Sequence, residues 1–242
     1  MVEIKTISIV TPVHNEGASI FHTVNEFIEC HKENPMKIKF IISEDGSTDN
    51  TLDEIQKLKK IYDVTLISDT QRKGYSNAVI DGFKLVNTDI VCFIDSDGQC
   101  DPNDLLKLLD KFDGKNIAAG HRKPRKDKVS RIIFSSIFRI FYRLLTNNKL
   151  KDPSCPYFVT STQNIKKILS TENIGMLTQG FWWEFYARAQ YLGIDIEEVV
   201  INHRKRVFGD SVIFNFLTIP IYAIKNIILL FSLKKILKKI NN

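Results

Sequence analysis

The chain has 242 residues, 43% of them hydrophobic and 26% charged, with a formal charge of +6. This length suits one α/β core with an appended segment, and the composition excludes a disordered, collagenous or disulfide-stapled protein. Four cysteines with no C-x-x-C pair and no histidine at zinc spacing point to reduced thiols in a cytosol, and MVEIKTISIV lacks the pattern of a signal peptide.

Short apolar runs predict strands over residues 6–11, 39–43, 64–68, 90–94 and 117–120. Helical spacing places helices over 18–29, 50–60, 75–85 and 103–112 between them. That alternation implies βαβ units on a mostly parallel α/β sheet flanked by helices. Ser47, Thr48 and Asp49 offer capping oxygens to one helix, and Pro102, Asn103 and Asp104 lead into another with acid near its positive end. After Gly120 basic residues interleave with aromatics. A helix-rich stretch follows through Tyr191, then a strand over 195–201 and an apolar, basic tail. The two halves of the chain are expected to divide near residue 120. Charge is uneven: residues 44–53 and 95–110 are acidic, whereas 121–143 and 234–239 are basic, which suggests an anionic partner met by one side of the molecule.

The stretch VCFIDSDGQCDP carries the chemistry. A buried strand ends in Asp95, Ser96 and Asp97, with Gln99 and Asp101 just beyond. Two carboxylates one residue apart at such a place need a compensating cation or donors. Mg²⁺ or Mn²⁺ bridging to a substrate diphosphate meets that need, because ligands gather at the carboxyl ends of parallel strands. Taken alone, a D-x-D would equally fit an Asp-rich turn. The runs TPVHNEG and SEDGSTD end their strands at the same edge, so Glu16 and Asp45 are candidates for ribose hydroxyls or a base N–H, with helix capping as the alternative.

The set TPVHNEG, SEDGSTDNT, RKGYSNAVIDGF and FIDSDGQCDP resembles the nucleotide-sugar half of glycosyltransferase family 2, whose members have the GT-A fold and invert at the anomeric carbon. Asp95, Asp97, Gln99, Asp101 and Pro102 resemble the D-x-D-x-Q-x-x-P run of polyprenyl-phosphate sugar transferases of the dolichyl-phosphate mannose synthase type. NHRKRVFGDS is similar to a later stretch of the same group. The resemblance implies that Pro12, Glu16, Asp45, Gly74, Asn77 and Asp95 hold a UDP- or GDP-sugar, with Lys73 adding a cation. It further implies that Asp95, Asp97 and Gln99 hold Mg²⁺ or Mn²⁺, and that Asp97, Asp95 and Arg204 carry catalysis. Arg122, Arg131, Arg204, Arg206 and Ser211 are the expected acceptor contacts. Two departures lie on the acceptor side. DPSCPYFVT stands where the group has D-P-T-S-G-F-R, and Val212 replaces a frequent lysine.

Between Arg122 and Arg143, arginines alternate at helical spacing with Phe134, Phe138, Phe141 and Tyr142. Apolar positions wrap too much of this helix for a phosphate-binding face, which argues against nucleic acid and for a membrane surface or a protein core. The apolar segment 212–233 is interrupted by Asn215, Pro220, Lys225 and Asn226. A spanning helix needs ~20 mainly apolar residues, so interfacial attachment is expected, with Lys234, Lys235, Lys238 and Lys239 on anionic headgroups. A dimerisation or core-packing helix is the alternative. Trp182 and Trp183 read as core anchors or as a sugar platform, and Glu184 or Asp152 as a base if the acceptor were a hydroxyl.

The expected division is a GT-A domain over 1–211, with a nucleotide-sugar half over 1–120 and an acceptor half over 121–211, followed by an amphipathic membrane-associating segment over 212–242. The expected activity is inverting transfer from a nucleotide sugar to a polyprenyl phosphate at the cytoplasmic membrane face, alone, as a homodimer or beside a membrane partner. The alternatives are transfer to a hydroxyl of a cell-surface glycan or lipid-linked oligosaccharide, and a nucleotide- or nucleic-acid-binding module without catalysis.

Overall fold

From Ile7 to Val13 every residue of β1 (Thr6–Val13) is buried, as a strand covered on both faces requires. The computed structural model describes residues 6–124, 129–171, 180–206 and 219–240. Seven strands form one sheet in the order β3-β2-β1-β4-β6-β5-β7. Around β1 the sheet is parallel: β2 (Lys37–Asp45) and β4 (Ile90–Phe93) flank it, and β3 (Val64–Asp69) pairs with β2. β6 (Phe158–Ser161) runs antiparallel to both β4 and β5 (Ile117–Arg122), and β7 (Ile196–Ile201) closes the edge parallel to β5.

Strand alternation sorts the core into two layers. Ile7, Ile9, Phe40, Ile42 and Cys92 face α1 (Ile20–Cys30), α2 (Thr51–Lys59) and α4 (Asp104–Lys111), whose inner residues include Phe27, Leu58 and Leu105. Val10, Ile41, Val91, Phe93 and Phe158 face α3 (Tyr75–Lys84), α6 (Thr162–Leu169) and α7 (Phe181–Tyr191) through Val79, Phe83, Ile168 and Phe185. A third cluster lies outside α7. There Trp183 and Ala187 meet Tyr142 of α5 (Val129–Thr146) and Leu230, Leu233 and Leu237 of α8 (Ile219–Ile240).

The expected strands and helices are all present with shifted ends. β1 and β2 run on to Val13 and Asp45 because Pro12 pairs with Ser43 and Val13 with Glu44. A proline is tolerated there because the pairing with β4 stops at Val10, so the missing N–H removes no ladder bond on that side. β6 was not anticipated in the helix-rich stretch. It is four residues long, and its pairing is decided by β4 and β5 on either side.

Candidate active site

β1, β2 and β4 are parallel, so their carboxyl ends open on one edge of the sheet. Residues 14–17, 46–49 and 95–99 leave the strands there, the first two loops pack against one another, and the Ser96 carbonyl of the third accepts from the Ser19 and Thr23 hydroxyls at 3.1 Å each. Asn15 accepts from the Thr48 N–H at 2.8 Å, the Glu16 N–H donates to Thr51 Oγ1 at 2.9 Å, and the Gly17 N–H donates to Asp49 Oδ2 at 3.1 Å. Thr51 at the start of α2 is also capped by Asp49, whose Oδ1 accepts its N–H at 3.0 Å. The acidic loops thus satisfy backbone donors and are held rigidly by doing so.

Asp45 is buried, and its carboxylate accepts from the Lys73 N–H at 2.7 Å and the Gly74 N–H at 3.0 and 3.1 Å. It therefore ties the loop ahead of α3 to the end of β2. Gly46 has φ +65, and a Cβ on it would lie 2.7 Å from the Arg72 nitrogen, so this closure requires glycine. Gly74 has φ +92 with open space around it, so its requirement is conformational. Lys73 pairs with Asp69 and Asp81, which gives its ammonium local partners. Asn77 is exposed and donates to the Lys73 carbonyl at 2.7 Å, and Pro12 is buried at the end of β1. Glu44 is buried as well, accepting from the Ser68 hydroxyl at 2.8 Å and from the Ser47 N–H.

Beyond β4, Asp95 accepts a hydrogen bond from the Tyr75 hydroxyl at 2.8 Å, and that hydroxyl accepts from Trp182 Nε1 at 2.9 Å. Burial first, and then the charge of Asp97, push the Asp95 carboxyl up to about 7, against the pull of Tyr75, Arg122 and Arg206. Asp97 accepts from the Gln99 N–H at 3.1 Å. Glu16 accepts from Ser19 Oγ at 2.6 Å and pairs with Arg206, and burial raises its pKa. The same Arg206 brings Nε to 3.9 Å from Asp97 Oδ2. One guanidinium thus links the loop after β1 to the loop after β4.

Arg206 is placed there by a short antiparallel bridge. Cys100 pairs with His203, the Arg204 N–H donates to the Gln99 carbonyl at 3.1 Å, and Gln99 Nε2 donates to the Arg204 carbonyl at 3.1 Å. The Arg204 guanidinium spans Glu26 at 2.6 Å and Asp101 at 2.9 Å, so it fastens this segment to α1 and to the loop before α4. Arg122 makes a bidentate pair with Asp152 at 2.7 and 2.8 Å and reaches Ser154 Oγ at 2.9 Å. These two arginines, expected at the acceptor, are thus engaged by carboxylates, while Arg206 sits among the donor-side acids. Arg131 lies in α5 with its side chain outside the described residues, and Ser211 lies outside them altogether. Glu184 is fully buried and accepts from Arg188 at 2.6 and 2.9 Å, with burial raising its pKa to about 7 against the arginine's pull. Trp182 and Trp183 are core anchors, and Trp182 adds its hydrogen bond to Tyr75.

Tyr75, Glu26 and the Arg122–Asp152 pair escaped the reading of the sequence. Tyr75 had one signal, its place directly after the glycine that opens α3.

Among the described residues, no group of three or more His, Cys, Asp or Glu side chains is gathered to hold a metal ion. The donor set still suits Mg²⁺ or Mn²⁺ brought with a substrate. Such ions accept one or two carboxylates and complete their shell with phosphate oxygens and water. Asp95, destabilised as an anion by burial and by Asp97, gains from an added cation.

The architecture is found in solved structures. Glucosyl-3-phosphoglycerate synthase from Mycobacterium tuberculosis, in complex with Mn²⁺, UDP and glucosyl-3-phosphoglycerate, superposes with a TM-score of 0.66 at 19% identity over 96% of this chain and 80% of that one. The same enzyme with Mn²⁺, UDP-glucose and phosphoglyceric acid gives 0.69 at 19% identity, again over 96% of this chain and 80% of that one. These show a GT-A glycosyltransferase fold. Among curated relatives, undecaprenyl-phosphate 4-deoxy-4-formamido-L-arabinose transferases of Salmonella choleraesuis (strain SC-B67) and Salmonella newport (strain SL254) are each 25% identical over 211 residues. The match takes in 86% of this chain, which spans 62% of the length of those relatives. The model described as "Glycosyl transferase family 2" matches residues 8–169, which include most of β1, all of β2 to β6 and every donor-side loop described above, and by that match the chain belongs to glycosyl transferase family 2.

Proposed function

We propose that the protein transfers a sugar from a nucleotide-sugar donor to a polyprenyl phosphate, with inversion at the anomeric carbon and with Mg²⁺ or Mn²⁺ at the diphosphate. The observation that carries this reading is the acidic pair Asp95 and Asp97 at the carboxyl end of β4, one of them held against its own ionisation by burial. Residues 1–120 supply the donor side, through Pro12, Glu16, Asp45, Gly74, Asn77 and Asp95, and residues 121–211 supply the acceptor side.

Asp95, Asp97 and the Gln99 amide would hold the metal, and Gln99 is oriented by its bond to the Arg204 carbonyl. When bound, the metal neutralises charge on the departing diphosphate. Asp45 fixes the Lys73–Gly74 turn beside the donor. Arg206 stands next to both Glu16 and Asp97, and as the acceptor approaches it offers a guanidinium to a phosphate. Arg122 adds positive potential toward Asp95 while keeping Asp152 paired. Arg204 acts by holding the 202–206 segment in place. The acceptor oxygen attacks the anomeric carbon, the bond from that carbon to the β-phosphate oxygen breaks, and the electron pair leaves on the nucleoside diphosphate.

A phosphate oxygen is already anionic near neutral pH, so this route needs no general base. Transfer to a sugar hydroxyl would need one within hydrogen-bond reach. The two carboxylates read from the sequence for that role are engaged: Asp152 by Arg122 and by the Ser154 hydroxyl, and Glu184 by Arg188 in the core. That engagement supports the phosphate acceptor. The names of the Salmonella relatives support it independently.

Peripheral attachment at the cytoplasmic face of the membrane completes the reading. None of the described helices is long and apolar enough to cross a membrane. α5 and α8 expose Ile133, Ile137, Ile140, Leu144, Ile228 and Phe231, with Lys234, Lys235 and Lys238 beside Phe231. Apolar side chains beside lysines suit an interface rich in anionic lipid.

The test is incubation with a panel of UDP- and GDP-sugars, Mn²⁺ or Mg²⁺, and a short-chain polyprenyl phosphate. Lipid-linked sugar is the expected product, and Asp97→Ala should lower its rate at least ~100-fold. Transfer to saccharides alone, with a loss of several orders of magnitude in Glu184→Gln, would replace the phosphate acceptor by a hydroxyl.

A further inference from the structure

We propose that Tyr75 is a positioning residue for Asp95, with Trp182 setting the direction of the hydrogen bond between them. The inference rests on the reading of Asp95 as part of the donor-metal site. An indole N–H can only donate. Trp182 Nε1 donates to the Tyr75 oxygen at 2.9 Å, so the single hydroxyl hydrogen of Tyr75 is directed to Asp95 Oδ1, 2.8 Å away. The chain runs one way, from indole to phenol to carboxylate, and it fixes the rotation of a carboxylate that faces a charged neighbour.

Each end of this chain is immobilised. The Trp182 ring lies 4.3 Å from the Phe93 ring, 4.8 Å from Phe181 and 5.5 Å from Phe158, measured between centroids. Tyr75 is the first residue of α3, directly after the Gly74 whose N–H is held by Asp45. Tyr75 as a residue is 42% exposed and belongs to none of the core clusters, while its hydroxyl bonds both Asp95 and Trp182. Trp182 belongs to α7 and Asp95 to the loop after β4, so the chain also ties the helix behind the antiparallel half of the sheet to the donor edge. Partners that orient a metal-binding carboxylate typically change metal affinity or activity by about 10–100-fold when removed.

The experiment is calorimetric titration of the full-length protein with Mn²⁺ in the presence of UDP or GDP, with thermal midpoints recorded alongside. Wild type should bind and Asp97→Ala should not. Tyr75→Phe, which removes one oxygen atom, should bind Mn²⁺ about 10–100-fold more weakly with its midpoint retained. Trp182→Phe should weaken binding less, and it should add nothing in a Tyr75→Phe background, because both act through one hydrogen bond. Wild-type affinity in Tyr75→Phe, with Asp97→Ala inactive in binding, would overturn the positioning role and leave the functional reading standing. Fully additive losses would overturn the link through Trp182. Absence of Mn²⁺ binding by wild type with either nucleotide would overturn the functional reading and the positioning role together. Should Tyr75→Phe fold poorly, the Trp182→Phe titration decides by the same criterion.

Discussion

Asp95 shows what a single residue can be made to tolerate. Its carboxyl stays protonated up to about pH 7 in the metal-free protein because burial and Asp97 oppose its charge, whereas in the unfolded chain it ionises near ~4. The folded state therefore holds a proton that the unfolded state releases. The associated stability is complete below the unfolded value and is lost as pH rises through about 7, with a slope of at most ~1.4 kcal/mol per pH unit. Glu184, also raised to about 7, acts in the same direction and the same window. The thermal midpoint of metal-free protein should fall from about pH 4 to about pH 7 and level off above that in differential scanning fluorimetry. Asp95→Asn should flatten part of that fall while weakening Mn²⁺ binding. An equally steep fall in the variant would assign the effect elsewhere.

At the scale of elements, α5 and α8 divide their residues between two tasks. Tyr142, Leu230, Leu233 and Leu237 turn inward onto Trp183, and the Tyr142 hydroxyl donates to the Trp183 carbonyl at 2.9 Å. Ile140 and Leu144 turn outward and are 59% and 72% exposed. Placing glutamate at both outward positions should leave the circular dichroism spectrum and thermal midpoint unchanged. It should lower binding to vesicles of anionic phospholipid by at least about 100-fold, since each of the two apolar side chains contributes roughly 1.5–3 kcal/mol when buried. Equal sedimentation of variant and wild type with such vesicles would leave these residues without a membrane role. α7 shows the opposite economy, with nine consecutive buried residues from Phe181 to Ala189. Its two charges, Glu184 and Arg188, are tolerated there because they pair with one another and Arg188 donates to the Thr171 carbonyl at 2.6 Å.

For the molecule as a whole, the acidic edge predicts that nucleotide and metal stabilise the fold jointly. Either alone leaves charge uncompensated: Mn²⁺ lacks the phosphate oxygens, and a diphosphate meets Asp95 and Asp97. UDP or GDP with Mn²⁺ should raise the thermal midpoint more than the sum of the two separate shifts, and a nucleotide present with Mn²⁺ at 100 times its dissociation constant should stabilise the fold by ~2.7 kcal/mol in all. Strictly additive shifts would mean that metal and nucleotide bind apart from one another.

The parallel βαβ half and the residues at its carboxyl edge are legible in the residue pattern, because strand burial and strand-end acids are local features. Val10, Cys92 and Phe93 announce a covered strand, and Asp95, Asp97, Glu16 and Asp45 announce its loaded end. The antiparallel β6 and the partner of each charge emerge from packing between distant segments. A four-residue strand such as Phe158–Ser161 takes its state from β4 and β5 rather than from propensity. Arginine likewise carries no local mark of which carboxylate will claim it. Arg204 went to Glu26 and Asp101, Arg122 to Asp152, and Arg206 to Glu16 near Asp97. These pairings join residues 30 to 190 positions apart, and such distances are closed by packing alone.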